Sequence, residues 1–392
     1  MFEMTGEPSL TPPELILIAG LGRAGCRIAN RVAALLGSEL TVAAIGSDAG
    51  SLHESTAAIR LQLGKNSLKG MGAGGKPEAA QAAAKADYDL LTGLFSNADV
   101  AFIFAGLGKG TGSGAITAVA EAAGEAGALT VCLVTLPFRF EGDECREKSD
   151  RAMKSLLDAA DIVVVLPNEN LVSIEEGNVT LKNAFARSDE VIVSGVYALY
   201  RLMSRDSLIT LDRSELQAMS LKTSGVFSMG YGFASGRDKA RVAAREAVIC
   251  PMLGEEKVSS AAVLFVSIVG GSALSLRQIG DIVSEVKRAS HARARLLVGV
   301  ALEQDAKEDI SVTILSAEDW GGSSTLAKQA EPATQSAARG KTTRRKRSQV
   351  TQPDLGLLVS GRGRFKDVEP TIMDGEDLDV PTFVRRGIKI DR

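Results

Sequence analysis

From Leu15 onward, continuous apolar runs alternate with stretches in which apolar positions recur every three or four residues. The apolar runs read "LILIAG", "LTVAAIGS", "VAFIFAG", "LTVCLVTLP" and "DIVVVLPN". They are apolar on both alternate positions, as strands are when a parallel sheet is covered on both faces. Between them, "KPEAAQAAAKADYDLLTGLF" and "GAITAVAEAAGEAG" predict alanine-rich helices. The alternation predicts an α/β fold, a doubly wound parallel sheet with its ligand loops at the carboxyl ends of the strands.

A long helical pattern, "LKNAFARSDEVIVSGVYALYRLMSR", leads away from this sheet and predicts a central helix. A second block starts near Leu208. It holds "GVFSMGYGFAS", the helical "GRDKARVAAREAVI", then "AAVLFVSIVGG", the helical "LRQIGDIVSEVKRAS", "RLLVGVALEQ" and "ISVTILS". That order predicts a smaller α+β domain ending near Ser316. From about Gly321 to Gly361 the periodicity fails. The stretch is rich in Ser, Thr, Gln, Gly and Pro, with a basic run Arg344–Arg347, and cannot bury enough surface to offset its chain entropy. The expected organisation is a flexible arm 1–13, a nucleotide-type domain with the central helix 14–205, an α+β domain 206–318, a disordered linker 319–362 and a tail 363–392.

Composition narrows the function classes. A chain of 392 residues is too long for one ordinary core. A net charge of -3 implies no general attraction to nucleic acid, so no specific nucleic-acid partner is expected. Cys26, Cys132, Cys145 and Cys250 are scattered without metal-ligand spacing, and His53 and His291 are the two histidines, so no metal site is expected. Reduced thiols, no leader ahead of the first strand and no apolar run near the roughly 20 residues of a membrane span point to a cytoplasmic protein with no transmembrane segment.

The candidate chemistry lies in glycine-rich loops. Gly20, Gly22 and Gly25 fit G-x-G-x-x-G after a strand and before a helix, with Asp48 about twenty residues on, the dinucleotide-binding fingerprint. A tight strand–helix turn with no ligand explains the same residues. A second loop, Gly106 to Gly114, again joins strand to helix. Its N–H groups can cradle an anion, and Thr111 and Ser113 add hydroxyls. Lys109 is followed by Gly110 and not by Ser or Thr, so this is not a P-loop. A third cluster, "KGMGAGGKPEAA", precedes a helix with Pro77 near its first turn. A nicotinamide-dependent oxidoreductase needs one pyrophosphate loop here. Successive loops on one sheet edge suit a longer phosphate chain.

These residues resemble a family. "GLGKGTGSG" is similar to the tubulin/FtsZ loop G-G-G-T-G-[ST]-G, and "KGMGAGGKPE" to the segment G-L-G-A-G-A-N-P-E. "VTLPFRFEG", "LPNENL" and the terminal "LDVPTFVRR" resemble V-T-K-P-F-x-F-E-G, I-P-N-D-K-L and L-D-I-P-x-F-L-R. The match runs in order from about residue 15 to 316 and resumes at the tail.

The resemblance implies a GTPase that polymerises head to tail and forms the division ring, or else a filament-forming paralogue with another structural role. It implies GTP or GDP across the sheet edge, with Mg2+ carried on the phosphates. Gly22, Arg23, Ala24, Gly25, Cys26 and Arg27 correspond to the first phosphate loop, beside Asp48. Gly108, Lys109, Gly110, Thr111 and Gly112 correspond to the second, and Gly72, Ala73 and Gly74 to the loop near the γ-phosphate. Glu141 corresponds to a ribose ligand, Asn168 to a second sugar-side contact, and Cys145 to a nucleotide-contacting arginine. Phe185 corresponds to an aromatic packed on the purine, or is a plain core aromatic of the long helix. Asp189 and Glu190 correspond to the Asn-Asp pair that reads guanine. Asp212 and Glu215, in "ITLDRSEL", correspond to the carboxylates with which the next subunit orients the attacking water. The alternative for these two residues is an ordinary acidic helix start, favourable to the dipole. The tail Asp377–Arg386 would dock membrane tethers and division regulators, placing the protein beneath the inner membrane.

Departures from the family pattern mark the chain as divergent. Lys109 replaces a glycine, Arg23 and Arg27 replace small or neutral residues, Glu215 and Glu190 replace aspartates, and Thr210 replaces an asparagine. The added cations imply tight nucleotide binding and slow release.

Overall fold

The computed structural model describes residues 15–36, 40–171, 180–203, 207–209, 214, 217, 223–303, 308–319, 372–373 and 376–377. The expected arm 1–13, most of the linker and the tail beyond Asp377 lie outside them, as do Asp212 and Glu215.

Each apolar run becomes a strand. In chain order the first half holds β1 Ile16–Leu21, α1 Gly22–Leu36, β2 Thr41–Gly46, α2 Ala49–His53, β3 Ile59–Gln62, α3 Pro77–Ala86, α4 Tyr88–Phe95, β4 Val100–Gly106, α5 Gly110–Glu125, β5 Leu129–Leu136, α6 Asp143–Ala159 and β6 Ile162–Pro167. All these strands pair in parallel, in the order β3-β2-β1-β4-β5-β6. Alternate residues face opposite layers. Ile18, Phe102 and Phe104 join Ile28 and Val32 of α1 in one core, while Leu17, Leu21 and Ile103 join Ile116 and Val119 of α5 in the other. β1 lies between β2 and β4, so the winding direction reverses there, and a crevice opens at the carboxyl ends of β1 and β4.

The long helix α7, Leu181–Met203, follows the sheet. At 1.5 Å per residue it is about 34 Å long. Its Ile192, Val196, Leu199 and Leu202 are buried in the core it shares with α1. Beyond it come β7 Ser207–Ile209, β8 Thr223–Ala234, α8 Lys239–Val248, α9 Glu255–Ser259, β9 Val263–Gly270, α10 Leu276–Ala289, β10 Arg295–Leu302 and β11 Ile310–Asp319. This half is mixed: β11 runs antiparallel to β8 and β9, while β9 and β10 are parallel. β8 also pairs in parallel with β6 at Val163–Val226 and Val164–Phe227, so the described strands up to Asp319 form one eleven-stranded sheet. Separately, in the unit of residues 326–392, β12 Ile372–Met373 pairs antiparallel with β13 Glu376–Asp377.

The structure corrects the sequence pattern at several elements. The stretch "KPEAAQAAAKADYDLLTGLF" is two helices, broken at Asp87, whose carboxylate accepts the Gly64 N–H at 2.6 Å. That bond holds Asp87 out of helical geometry (φ -103°, ψ 22°). β3 and β7 give no apolar run because they are short edge strands, exposed or half-exposed along their length. β11 runs to Asp319, three residues past the expected end, through an irregularity between Ala317 and Asp319.

Candidate nucleotide site

At the reversal point lies a cleft of about 400 Å³. It is walled by the start of α1, the end of β2, the turn before α3, the start of α5 and one face of α7. That volume suits a small-molecule ligand.

Close packing at two glycines brings the loops together. A Cβ on Gly25 would lie 2.1 Å from the Phe104 carbonyl oxygen, and one on Gly112 would lie 2.1 Å from the Gly106 carbonyl oxygen. Only glycine lets α1 and α5 sit this close to β4. Lys109 is the N-cap of α5 and makes no side-chain cap bond, so no side chain at that position closes off the first-turn N–H groups, which favour negative charge. α1 starts directly from β1, with no intervening loop.

Ser47, at the end of β2, ties three loops together. Its hydroxyl lies 2.7 Å from the Thr111 hydroxyl and accepts the Ala73 N–H at 3.1 Å. The sequence analysis did not single it out. A lone serine closing an apolar strand was its signal.

Fifteen of the sequence-derived nucleotide residues line the cleft. They are Gly22, Arg23, Ala24, Arg27, Asp48, Ala73, Gly74, Lys109, Gly110, Thr111, Gly112, Glu141, Asn168, Phe185 and Asp189. Gly75, Ser51, Thr135, Pro137 and Ser188 line it as well. Six expected residues do not. Gly25 is consumed by helix–sheet packing. Cys26 is buried, its thiol directed at the Gly20 carbonyl at 3.3 Å and its pKa pushed up to about 11 by burial. Gly72 backs onto Asp48, and Gly108 backs onto Cys145, behind the wall. Glu190 is exposed, one helical step round from Asp189, and its charge bears on Tyr231. Ser113 also faces inward, where its hydroxyl accepts the Gly108 N–H at 2.7 Å.

Charged side chains in the cleft are paired with one another. Asp48 caps α2, accepting the Ser51 and Gly50 N–H groups at 3.1 and 3.3 Å. Those bonds, the Ser51 N–H first, hold its carboxyl below the usual carboxylate range, and Arg23 at 3.7 Å adds to this. The Lys109 ammonium lies 3.2 Å from Glu141, whose other oxygen accepts the Phe138 N–H at 3.1 Å. At the far end Arg27 donates two hydrogen bonds to Asp189, from Nε at 2.7 Å and Nη2 at 2.9 Å. Arg31 approaches the same carboxylate at 3.4 Å. The Arg27 guanidinium lies 5.5 Å from the Phe185 ring centroid, and Phe185 meets Phe138 edge-on at 5.4 Å. Asn168 is buried and accepts the Ser188 hydroxyl at 3.2 Å.

Among the described residues no group of three or more His, Cys, Asp or Glu side chains is placed to hold a metal ion, and no helix is long and apolar enough to cross a membrane.

Comparison with known proteins agrees with the fold. Residues 15–176 match the GTPase domain of the tubulin/FtsZ family, and residues 225–318 match the C-terminal domain of the FtsZ family. The chain is 31% identical to the cell division protein FtsZ of Pseudomonas aeruginosa over 316 residues, covering 81% of this chain and 79% of that protein. The empty FtsZ dimer of M. jannaschii superposes with a TM-score of 0.72 at 30% identity, covering 79% of this chain and 89% of the other. The GTPγS-bound protofilament of CetZ2 from Haloferax volcanii superposes at 0.64 with 20% identity, covering 78% and 94%, a likeness of fold alone. The chain belongs to the tubulin/FtsZ family.

Proposed function

We propose that the chain binds GTP and GDP in this cleft, hydrolyses GTP, and assembles head to tail into filaments that form the ring at the division site. The observation that carries this reading is the meeting of three glycine-rich segments, the starts of α1 and α5 and the turn before α3, at one sheet-edge cleft that Phe185 and Asp189 also line. Backbone N–H groups at the helix starts suit a polyphosphate, and an aromatic beside a carboxylate suits a purine with a donor edge. Glu141 and Asn168, which also line the cleft, serve the ribose. A Mg2+ ion carried by the nucleotide would supply charge neutralisation, and the N–H groups of Gly110 and Thr111 would hold the phosphates it accompanies.

Asp212 and Glu215 complete hydrolysis in the neighbouring subunit by accepting hydrogen bonds from the attacking water. The tail Asp377–Arg386 docks membrane tethers and division regulators from the cytoplasmic side, and the linker 319–362 gives it reach. A second reading is a filament-forming paralogue with slow GTP turnover and another structural role; the pairing of Lys109 with Glu141, both lining the cleft, suits its slow turnover.

The test is GTP turnover against protein concentration for the wild type and Glu215→Ala. Turnover per subunit that rises above a threshold in the wild type, and is lost in the variant while GTP still binds, supports catalysis between subunits. Turnover strictly proportional to concentration removes the filament mechanism, and absence of turnover in both leaves the second reading.

A further inference from the structure

Asp189 presents both carboxylate oxygens to the guanidinium of Arg27, with donor distances of 2.7 and 2.9 Å. This is a fork: two parallel N–H donors, joined through one carbon, on two oxygens. The N1–H and 2-amino groups of guanine, joined through C2, form the same donor–carbon–donor fork. A carboxylate has one set of lone pairs suited to such a partner. The Asp189 side chain is 4% exposed, so a base cannot reach the carboxylate from behind. Arg31 at 3.4 Å takes part of the remaining acceptor capacity of Oδ2. Arg27 also lies over the Phe185 ring, where a purine would stack. Both features of the cleft that would recognise a base are held by one side chain.

We infer that Arg27 is an internal competitor of the guanine edge for Asp189, and that it sets how strongly the site distinguishes guanine from other purines. The inference rests on the nucleotide reading of the cleft. While the fork is closed, a purine nucleotide is held by its phosphates and ribose, and the 2-amino group contributes little to affinity. When Arg27 swings away, the carboxylate takes both guanine donors and the 2-amino group counts in full. The contribution of the 2-amino group is then reduced according to how strongly the closed fork is favoured over the open one. Arg27 is 46% exposed at its side chain and sits on the second turn of α1, so it has open space into which to move.

Comparing GDP with inosine diphosphate, which lacks only the 2-amino group, isolates this contact, because the phosphates and ribose are the same. Neither nucleotide can be turned over as GTP is. Binding of both to the full chain is measured by calorimetry for the wild type, Arg27→Lys, Arg27→Gln and Asp189→Asn. The wild type is expected to favour GDP by less than about threefold. Arg27→Lys keeps a cation but removes the fork, and its preference for GDP is expected to rise about tenfold, the value of one hydrogen bond to a charged acceptor. Arg27→Gln is expected to move in the same direction, and Asp189→Asn to show no preference. A wild-type preference above about tenfold overturns the inference without any variant. So does an unchanged or smaller preference in Arg27→Lys and Arg27→Gln with binding retained. Absence of binding by both nucleotides in the folded wild type overturns the nucleotide reading, and this inference with it.

Discussion

The two ends of the cleft are built from different materials. At the end proposed for the phosphates the wall is largely backbone. It consists of helix starts brought together by glycines and held by one serine hydroxyl between Thr111 and Ala73. At the end proposed for the base the wall is side chains, and these are engaged with one another: Arg27 with Asp189, Ser188 with Asn168, Phe185 with Phe138. The backbone cradle at α5 is open because its N-cap, Lys109, makes no side-chain cap bond to the first-turn N–H groups. A side-chain reader can be switched off, since any residue of the right shape and charge competes for it.

Substitutions at each end test this contrast. The largest effect is expected at Gly112→Ala, where a Cβ would lie 2.1 Å from a backbone oxygen that cannot retreat without moving β4. Overpacking there should lower stability by about 3 kcal/mol and abolish nucleotide binding, read from a denaturant midpoint and a binding titration. If the variant binds normally, the close approach of α5 is not what shapes the phosphate end.

Next comes Ser47→Ala, which removes the hydroxyl between the loops. A loss of about 1–2 kcal/mol is expected, with a severalfold drop in affinity that is equal for GDP and inosine diphosphate. An effect that depended on the base would mean the two ends are not independent.

Lys109→Gly restores the residue the family loop carries. The Lys109–Glu141 pair is exposed on the lysine side, so stability should change by less than about 0.5 kcal/mol. Nucleotide release, followed with a fluorescent GDP, should quicken, and the difference from the wild type should shrink in high salt. Unaltered release would mean that Lys109 does not slow exit, leaving Arg23 as the next cation to test.

The smallest effect concerns Asp48. Its folded-state pKa is depressed, so its contribution to stability is present above the ordinary carboxylate value near 3.9 and is lost as pH falls through the depressed value. Asp48→Asn should therefore lower stability slightly near neutrality, and the difference from the wild type should vanish as pH falls below about 4, read from denaturant midpoints across pH.

Much of this molecule is present in local patterns. Apolar runs such as "VAFIFAG" dictate buried strands because no other arrangement removes both of their faces from water. The glycine spacings dictate tight strand–helix turns, and those turns lie at the sheet edge where a parallel sheet places its ligand loops. Fold class, the cleft's position and fifteen of its wall residues followed from these patterns together with the family resemblance. Which glycines face the ligand and which face the sheet did not. Gly25 and Gly112 look alike along the chain, yet Gly25 is off the wall and Gly112 is on it, and that distinction depends on where α1 and α5 cross β4. Asp87 splits a continuous helical pattern through a bond to Gly64, twenty-three residues away.

The pairing of Arg27 with Asp189 spans 162 residues. Each residue alone reads as a nucleotide contact, a cation near phosphate and a carboxylate near a base. Only the packing of α1 against α7 brings the two charges within hydrogen-bond distance, where they satisfy each other. Local sequence determined the strands, the turns and the anion cradle, because backbone periodicity and glycine sterics act over a few residues. The tertiary structure decided which charged groups are paired, because electrostatic and hydrogen-bond energies depend on separations that only the folded chain sets.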